Sequence, residues 1–496
     1  MSAILDLPTE IYTFLSRPAP QTMLLRGPPG TGKTTLSLSL LSNFPGRRFL
    51  ISSRVSASEL KREFPWVGNG SEIHLVDAAS RSGTLKEAAR VVSHLGELVH
   101  DPDKEEALRG LWLPQPVQEA WSRADASNPC MVAIDSWDAL VERYLGAPKA
   151  ADGLPDRSEL ERLLLDQMSQ GPVFLVLVVE RSERSQLDYL VNAVLETASD
   201  GQTGRPERWL YLRKLRGTRV DSPAYPFTLE GARFQCIAPM HASLLDRNLR
   251  PEAEPDPVPG SLWPGCSDFA AAFGRLPVGR ITLVERDLSV PTEALVLLVR
   301  PIAGHVARNG GRVLHILPPN VGPEEVLRMY RELLSPEQIV RQVRFQLSAP
   351  FHDVPEELAK TIILPPVSDE RGTEPRTPEA ARFLREAGRP GSTNLSIVWI
   401  SALRAFAAER GVNYNPDTLP GQAFAYLSGA PAHTVFIGPE DDPMVASLRM
   451  MAATRIRLRS SAGRVFVWGE QPATPSFVLS EGDETTGKPY RLLRVV

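Results

Sequence analysis

The stretch MLLRGPPGTGKTTLSLSLL, Met23 to Leu41, passes from an apolar run through a turn rich in glycine and proline into a second apolar run. Its middle, Gly27-Pro28-Pro29-Gly30-Thr31-Gly32-Lys33-Thr34, fits GxxxxGK[ST] at every position. That pattern carries weight only between a strand and a helix, and both are predicted here, MLLR before it and TTLSLSLL after it. The glycines let successive backbone amides curl around a phosphate, and the helix start adds the positive end of its dipole. Gly27 to Thr35 are therefore read as the lining of a nucleotide site, with ATP and Mg²⁺ as the expected ligands. Lys33 is expected to reach the β- and γ-phosphates, and Thr34 to offer its hydroxyl to the metal.

Outward from this loop, RFLIS (48–52), IHLVD (73–77), MVAID (131–135) and VFLVLVV (173–179) read as buried strands. Between the strands, LSLSLLSNF, ASELKREF, TLKEAARVVSHLGELV and SELERLLLDQM carry the period of amphipathic helices. Strands alternating with helices predict an α/β fold with a parallel sheet covered on both faces. Asp135 closes the strand MVAI, where a carboxylate can hold Mg²⁺ through water; as a bare sequence feature it also suits a helix cap. Asp138 is expected in a solvated first turn. After Asp188, the segments YLVNAVLETA, RWLYLRKLRG, YPFTLEG and RFQCIA read as antiparallel strands that extend the sheet. Residues 101–129, 146–157 and 365–393 read as loop excursions.

A chain of 496 residues is too long for one compact core, so two domains are expected. The seam is the proline-rich segment 239–265, whose prolines remove backbone donors and fix φ. Its reading is a domain over 1–238, a linker over 239–262 and a second domain over 263–496. A net charge of −4 argues against coating nucleic acid by charge alone. Three cysteines without CxxC spacing, and eight scattered histidines, suggest neither a disulfide framework nor a metal cluster. The acidic N-terminus lacks a basic n-region, and the longest apolar run is far short of a membrane span, so a cytoplasmic chain is expected.

The ordered set GPPGTGKTT, MVAIDSWDAL, LDYLVNAVLETA and Lys214-Leu215-Arg216-Gly217, the last before a strand ending in FTLEGARF, resembles RecA-like ATPases of the KaiC type. Within them it looks like the branch of the archaeal gas-vesicle regulator GvpD, which SRVSASELKREFPW (53–66) also resembles. The resemblance covers residues 1 to about 238 and implies a RecA-like ATP-binding domain. It also implies that Lys214 and Arg216 reach the nucleotide of a neighbouring subunit. Two residues apart, they would share one face of a strand, although a solvated basic edge strand has the same pattern. One departure bears on catalysis. KaiC-like ATPases place a pair of glutamates just after the second strand, and here that segment is Ser53-Arg54-Val55. Glu180, at the end of the next core strand, is the candidate substitute for activating water, with Lys33 as the second catalytic candidate.

The C-terminal half repeats the plan without the chemistry. Ile281-Thr282-Leu283-Val284 parallels Met23-Leu24-Leu25-Arg26, which puts Glu285 at Gly27, Pro291 at Lys33 and Thr292 at Thr34. SIVWISAL (396–403) parallels MVAIDSWDAL, with Ile400 at the Asp135 position. Loss of the glycines and the lysine, with Glu285 and Asp287 added, predicts a degenerate second RecA-like domain that holds no phosphate. Arg455, Arg457 and Arg459 share one strand face, suited to phosphate, to an acidic partner or simply to solvent. Three functions remain open: a nucleotide-dependent regulator with slow hydrolysis, a DNA-acting RecA-type ATPase, and a non-hydrolysing scaffold. The first is favoured, with nucleotide, further copies of the chain and a protein target as partners. Nothing indicates DNA, and no membrane is expected.

Overall fold

The computed structural model describes residues 4–17, 20–68, 72–77, 129–139, 142, 158, 161–162, 165, 173–181, 183–200, 204–239, 250–318, 321–347, 359–363, 379–385, 392–409, 432–482 and 487–495. The segment TLKEAARVVSHLGELV and nearly all of 101–129 and 146–157 lie outside the described residues. The chain divides into two compact units, in the main Ile4–Ala238 and Pro239–Arg494.

The first unit is built on a ten-stranded sheet. Its strands are β1 (Ile4–Leu5), β2 (Gln21–Arg26), β3 (Arg47–Ser52), β4 (Ile73–Asp77), β5 (Cys130–Asp135), β6 (Val173–Val179), β7 (Ala193–Asp200), β8 (Glu207–Leu215), β9 (Ala224–Thr228) and β10 (Gln235–Ile237). They lie in the order β1-β10-β9-β8-β7-β2-β6-β5-β3-β4. The block from β7 to β4 is parallel. From β8 to β1 the pairing is antiparallel. The segment LDYLVNAVLETA thus corrects the reading of four antiparallel additions, because β7 runs parallel to β2 and only then turns back.

In β5 and β6 every residue but Asp135 is buried. That is why CMVAI and VFLVLVV read as continuous apolar runs: a parallel sheet covered on both faces leaves no polar side to alternate with. The helix Lys33–Ser42 is likewise enclosed, with Thr35 through Leu41 all buried. The sequence pattern predicts an amphipathic helix; instead, Ser37 and Ser39 are covered as well. Ser37 hands its hydroxyl proton to the Lys33 carbonyl at 3.0 Å, so its burial leaves no orphan donor. The helix Ala57–Glu63 starts on Ser56, whose side chain accepts from the Glu59 amide.

The second unit opens with a two-stranded ribbon, β11 (Ser261–Leu262) and β12 (Leu276–Pro277). Its main sheet contains β13 (Ile281–Arg286), β14 (Val313–Leu317), β15 (Val343–Leu347), β16 (Ile362–Ile363), β17 (Asn394–Trp399), β18 (Ala432–Pro439), β19 (Thr454–Ser461), β20 (Arg464–Gln471), β21 (Phe477–Glu481) and β22 (Tyr490–Arg494). The order is β16-β15-β14-β17-β18-β13-β19-β20-β21-β22. Strand for strand, β15-β14-β17-β18-β13-β19-β20-β21-β22 follows β4-β3-β5-β6-β2-β7-β8-β9-β10 in order and direction. Both sheets also break register in the equivalent hairpin, between Val194 and Leu195 and between Arg455 and Ile456.

Part of the 365–393 segment is not an excursion. Glu379–Arg385 forms a helix that buries Ala380, Phe383 and Leu384. The arginine strip on β19 is not an open basic face either. Arg455 pairs with Glu285, and Arg457 pairs with Glu440 and Glu470 and lies over the Trp468 ring. Arg459 lies over Phe466. Among the described residues, no helix is long and apolar enough to cross a membrane.

Candidate phosphate-binding site

Parallel strands bring their C-terminal ends to one edge of a sheet, so the loops after β2, β3, β5 and β6 meet there. Register fixes the levels. Arg26 pairs with Val179, Asp135 with Val178 and Ser52 with Asp135. The loop Gly27–Gly32, Asp135, Ser53-Arg54 and Glu180 therefore converge although they are far apart in the chain.

The loop leaves β2 at Gly27, whose φ of 149° is open to glycine alone. A Cβ there would lie 2.2 Å from the Thr197 carbonyl oxygen of β7. Gly32, at φ 89°, is the residue from which the helix Lys33–Ser42 starts. Between them Thr31 gives its hydroxyl proton to the Pro28 carbonyl at 2.8 Å and shares a 2.7 Å hydrogen bond with the Thr197 hydroxyl. From β8, Arg208 donates to the Gly30 carbonyl at 2.8 Å. Beneath the loop, buried Arg26 holds Asp188 at 2.6 Å and Glu196 at 2.7 Å, which ties β7 to β2 at the point where the chain turns. Removing one member of a buried, paired set of charges costs about 3–5 kcal/mol, so this brace is a substantial part of what fixes the loop.

Lys33 lies across the curl, its ammonium donating to the carbonyls of Gly27 at 2.7 Å and Pro28 at 2.6 Å. Burial lowers its pKa, opposed by Glu180 and Asp135. Thr34 gives its hydroxyl proton to Asp135 Oδ2 at 2.6 Å. Burial raises the Asp135 pKa, opposed by that hydrogen bond and by Lys33. A buried ammonium beside a partly buried carboxylate, each disfavoured by desolvation, suits a triphosphate with a hard cation, which would bring each a counter-charge. Thr34 and Asp135 offer adjacent oxygen donors, the ligand type that Mg²⁺ prefers. Thr35 is buried in the first turn of the helix.

Asp138 corrects the sequence reading. It is buried rather than solvated, accepts from the Glu180 amide at 3.0 Å and faces Arg181 at 3.6 Å. Glu180 stands at the mouth of the site, as its place at the end of β6 required, and its carboxylate is ion-paired with Arg54 at 2.5 Å. Lys214 and Arg216 lie elsewhere. Lys214 pairs with Val194, which is level with Leu24, and its ammonium donates to the carbonyls of Asp188 and Tyr189. The strand ends at Leu215, and Arg216 follows it. The Arg216 amide bonds the Asn192 carbonyl, and the Asn192 amide bonds that of Thr22, four residues below Arg26. At ~3.3 Å per residue this puts Arg216 roughly 13 Å from the loop end of the sheet.

In the second unit the central strand β13 ends on Arg286 paired with Pro439, as β2 ends on Arg26 paired with Val179. Asp287, not Glu285, is therefore the residue that follows the strand. Glu285 is inside β13, fully buried, with its carboxylate held by Arg449 at 2.6 Å and Arg455 at 3.1 Å. Its charge is answered within the fold and does not face a loop. The loop Asp287–Pro291 contains no glycine, and Asp287 spends its carboxylate on the Ser289 amide. At the level of Asp135, Ile400 is fully buried and packs against Gly438.

Residues 11–213 match the family model described as GvpD gas vesicle protein, P-loop domain. Two curated relatives each align over about half of the chain. Protein GvpD2 of Halobacterium salinarum is 30% identical over 249 residues, 48% of this chain and 46% of the relative. Protein GvpD1 of the same organism is 27% identical over 247 residues, 48% of this chain and 42% of the relative. The chain thus spans less than half the length of the curated relatives it matches. The first unit carries a GvpD-like P-loop domain, and a P-loop domain implies nucleotide binding.

Proposed function

We propose that the first unit binds ATP with Mg²⁺ through Gly27–Thr35 and Asp135, hydrolyses it slowly, and uses the bound state to regulate a protein partner. The observation that carries this is the 2.6 Å contact between Thr34 and Asp135, with Lys33 folded into the loop beside it. In this proposal Lys33 and the loop amides hold the β- and γ-phosphates, and Thr34 and Asp135 hold the metal, which would neutralise phosphate charge. Slow turnover follows from the water-facing side of the site. The segment where a KaiC-like ATPase carries its glutamates is Ser53-Arg54-Val55, which has no carboxylate to activate water.

The second unit is proposed to be a RecA-like copy without a nucleotide site. The shared strand order supports the copy; Ile400 and the glycine-free loop support the loss. Assembly is proposed to be head-to-tail, with Lys214 and Arg216 meeting a neighbour's nucleotide. The distance of Arg216 from the loop of its own chain supports a role in trans for that residue, and Tyr189, 75% exposed beside Lys214, adds apolar surface near it. Regulation and a protein partner are proposed by likeness to the gas-vesicle family.

Direct titration of Lys33→Ala tests the site. Loss of the ammonium should weaken Mg²⁺–ATP binding at least about tenfold, ~1.4 kcal/mol. Unchanged affinity would remove the nucleotide from this loop.

A further inference from the structure

Resting on that nucleotide-site reading, we propose that Arg54 is the residue that distinguishes a nucleoside triphosphate from a diphosphate, by leaving Glu180 for the γ-phosphate. Three observations converge on it. First, the turn that carries Arg54 is pinned on both sides. Ser53 is fully buried; its amide bonds the Asp135 carbonyl at 2.7 Å, and its hydroxyl bonds both the amide and the carbonyl of Ser136. Ser52 donates its hydroxyl to the Val55 carbonyl at 2.6 Å. The backbone of Arg54 is thus fixed to the strand that ends in Asp135, and only its side chain is free to move.

Second, the guanidinium is on the phosphate side of the site. Ser52 pairs with Asp135 and Asp135 with Val178, so Arg54 and Glu180 follow strand ends on either side of Asp135, and their ion pair spans the loop edge of the sheet there. Lys33 reaches the β- and γ-phosphates in this loop type, so the last phosphoryl group lies beyond it, toward the ends of β3 and β6. A diphosphate stops one group short of that position.

Third, the present partner is exchangeable. Arg54 and Glu180 are 46% and 29% exposed, an ion pair that water already reaches. Such pairs contribute little to stability, whereas an arginine–phosphate pair is charge-assisted and can be bidentate. A γ-phosphate would also repel the Glu180 carboxylate, so the same charge that attracts Arg54 loosens its old partner. Glu180 stays close, because its amide is held by buried Asp138. The exchange is a change of partner for one guanidinium, with no covalent step.

The test is calorimetric titration of the full chain with a non-hydrolysable ATP analogue and with ADP, each with Mg²⁺, on the wild type, Arg54→Ala, Arg54→Lys and Glu180→Gln. The wild type should bind both nucleotides. Arg54→Ala should weaken the triphosphate at least about tenfold while leaving ADP within about twofold, the loss expected for one hydrogen-bonded charged contact. Retained ADP binding shows that the variant is folded. Arg54→Lys should recover part of the triphosphate affinity, and Glu180→Gln should keep or raise it. Equal loss of both nucleotides in Arg54→Ala, or loss of neither, overturns the proposal. Failure of the wild type to bind either nucleotide would instead defeat the site reading beneath it.

Discussion

At the scale of single residues, the site is a set of charges that the fold leaves partly uncompensated. Asp135 is the clearest case. Burial puts its pKa above the ordinary aspartate value of 3.8, with Thr34 and Lys33 pulling the other way. The sign of the consequence differs for folding and for binding. A carboxylate whose pKa rises on folding costs stability when ionised, fully so above the raised value, and the cost is relieved as pH falls toward 3.8. Metal-dependent binding moves the opposite way, because a protonated carboxyl cannot hold Mg²⁺. Mg²⁺-dependent nucleotide affinity should therefore fall as pH drops through a window lying above 3.8, while the fold itself is not weakened by this group. Titrations across a descending pH series, with and without Mg²⁺, would show the step, and Asp135→Asn should lack it. A wild-type profile parallel to that of Asp135→Asn would take the metal role away from Asp135.

At the scale of elements, legibility tracked sequence distance. Strand, loop and helix around Lys33 are contiguous, and each is specified by residues that need no distant partner: apolar β2, Gly27 and Gly32 at positive φ, and a helix starting at Lys33. That part was readable. Asp135 and Glu180 were readable as strand ends, since parallel ladders bring such ends together. What lay beyond reading depends on which strands are neighbours. Arg26 meets Asp188 and Glu196 only because β7 pairs with β2, and Thr197 reaches Thr31 for the same reason. A charged residue directly before Gly27, at the close of an apolar strand, was the one signal for that brace. Asp138 looked solvated because its partner, the Glu180 amide, follows β6 and is remote in sequence. Glu285 looked like a loop residue because Arg449 and Arg455, which let it be buried, are remote in sequence.

The strand β8 carries an expectation of its own. Arg216 is set well below the loop end of the sheet and the Lys214 ammonium is already bonded to the carbonyls of Asp188 and Tyr189, so the nucleotide role proposed for them calls for a second copy of the chain. Sedimentation with Mg²⁺–ATP should show an assembly larger than the monomer, reduced in Lys214→Ala/Arg216→Ala. Sedimentation as a monomer with and without nucleotide would leave those residues with a structural role only.

At the scale of the whole molecule, two sheets of the same strand order carry unequal chemistry. The first keeps glycines, Lys33, Thr34 and Asp135 at one edge; the second has Asp287–Pro291 and Ile400 at the corresponding places and spends Glu285 on Arg449 and Arg455 and Asp287 on the Ser289 amide. A second unit with a full apolar core does not need phosphate contacts to stay folded, and so it can persist after losing them. Stoichiometry follows from that asymmetry and is the central claim. Calorimetry of Mg²⁺–ATP on the full chain should give one site per chain, and Lys33→Ala should remove that site without exposing another. Two sites per chain, or one site that survives Lys33→Ala, would place the nucleotide somewhere other than the loop Gly27–Thr34.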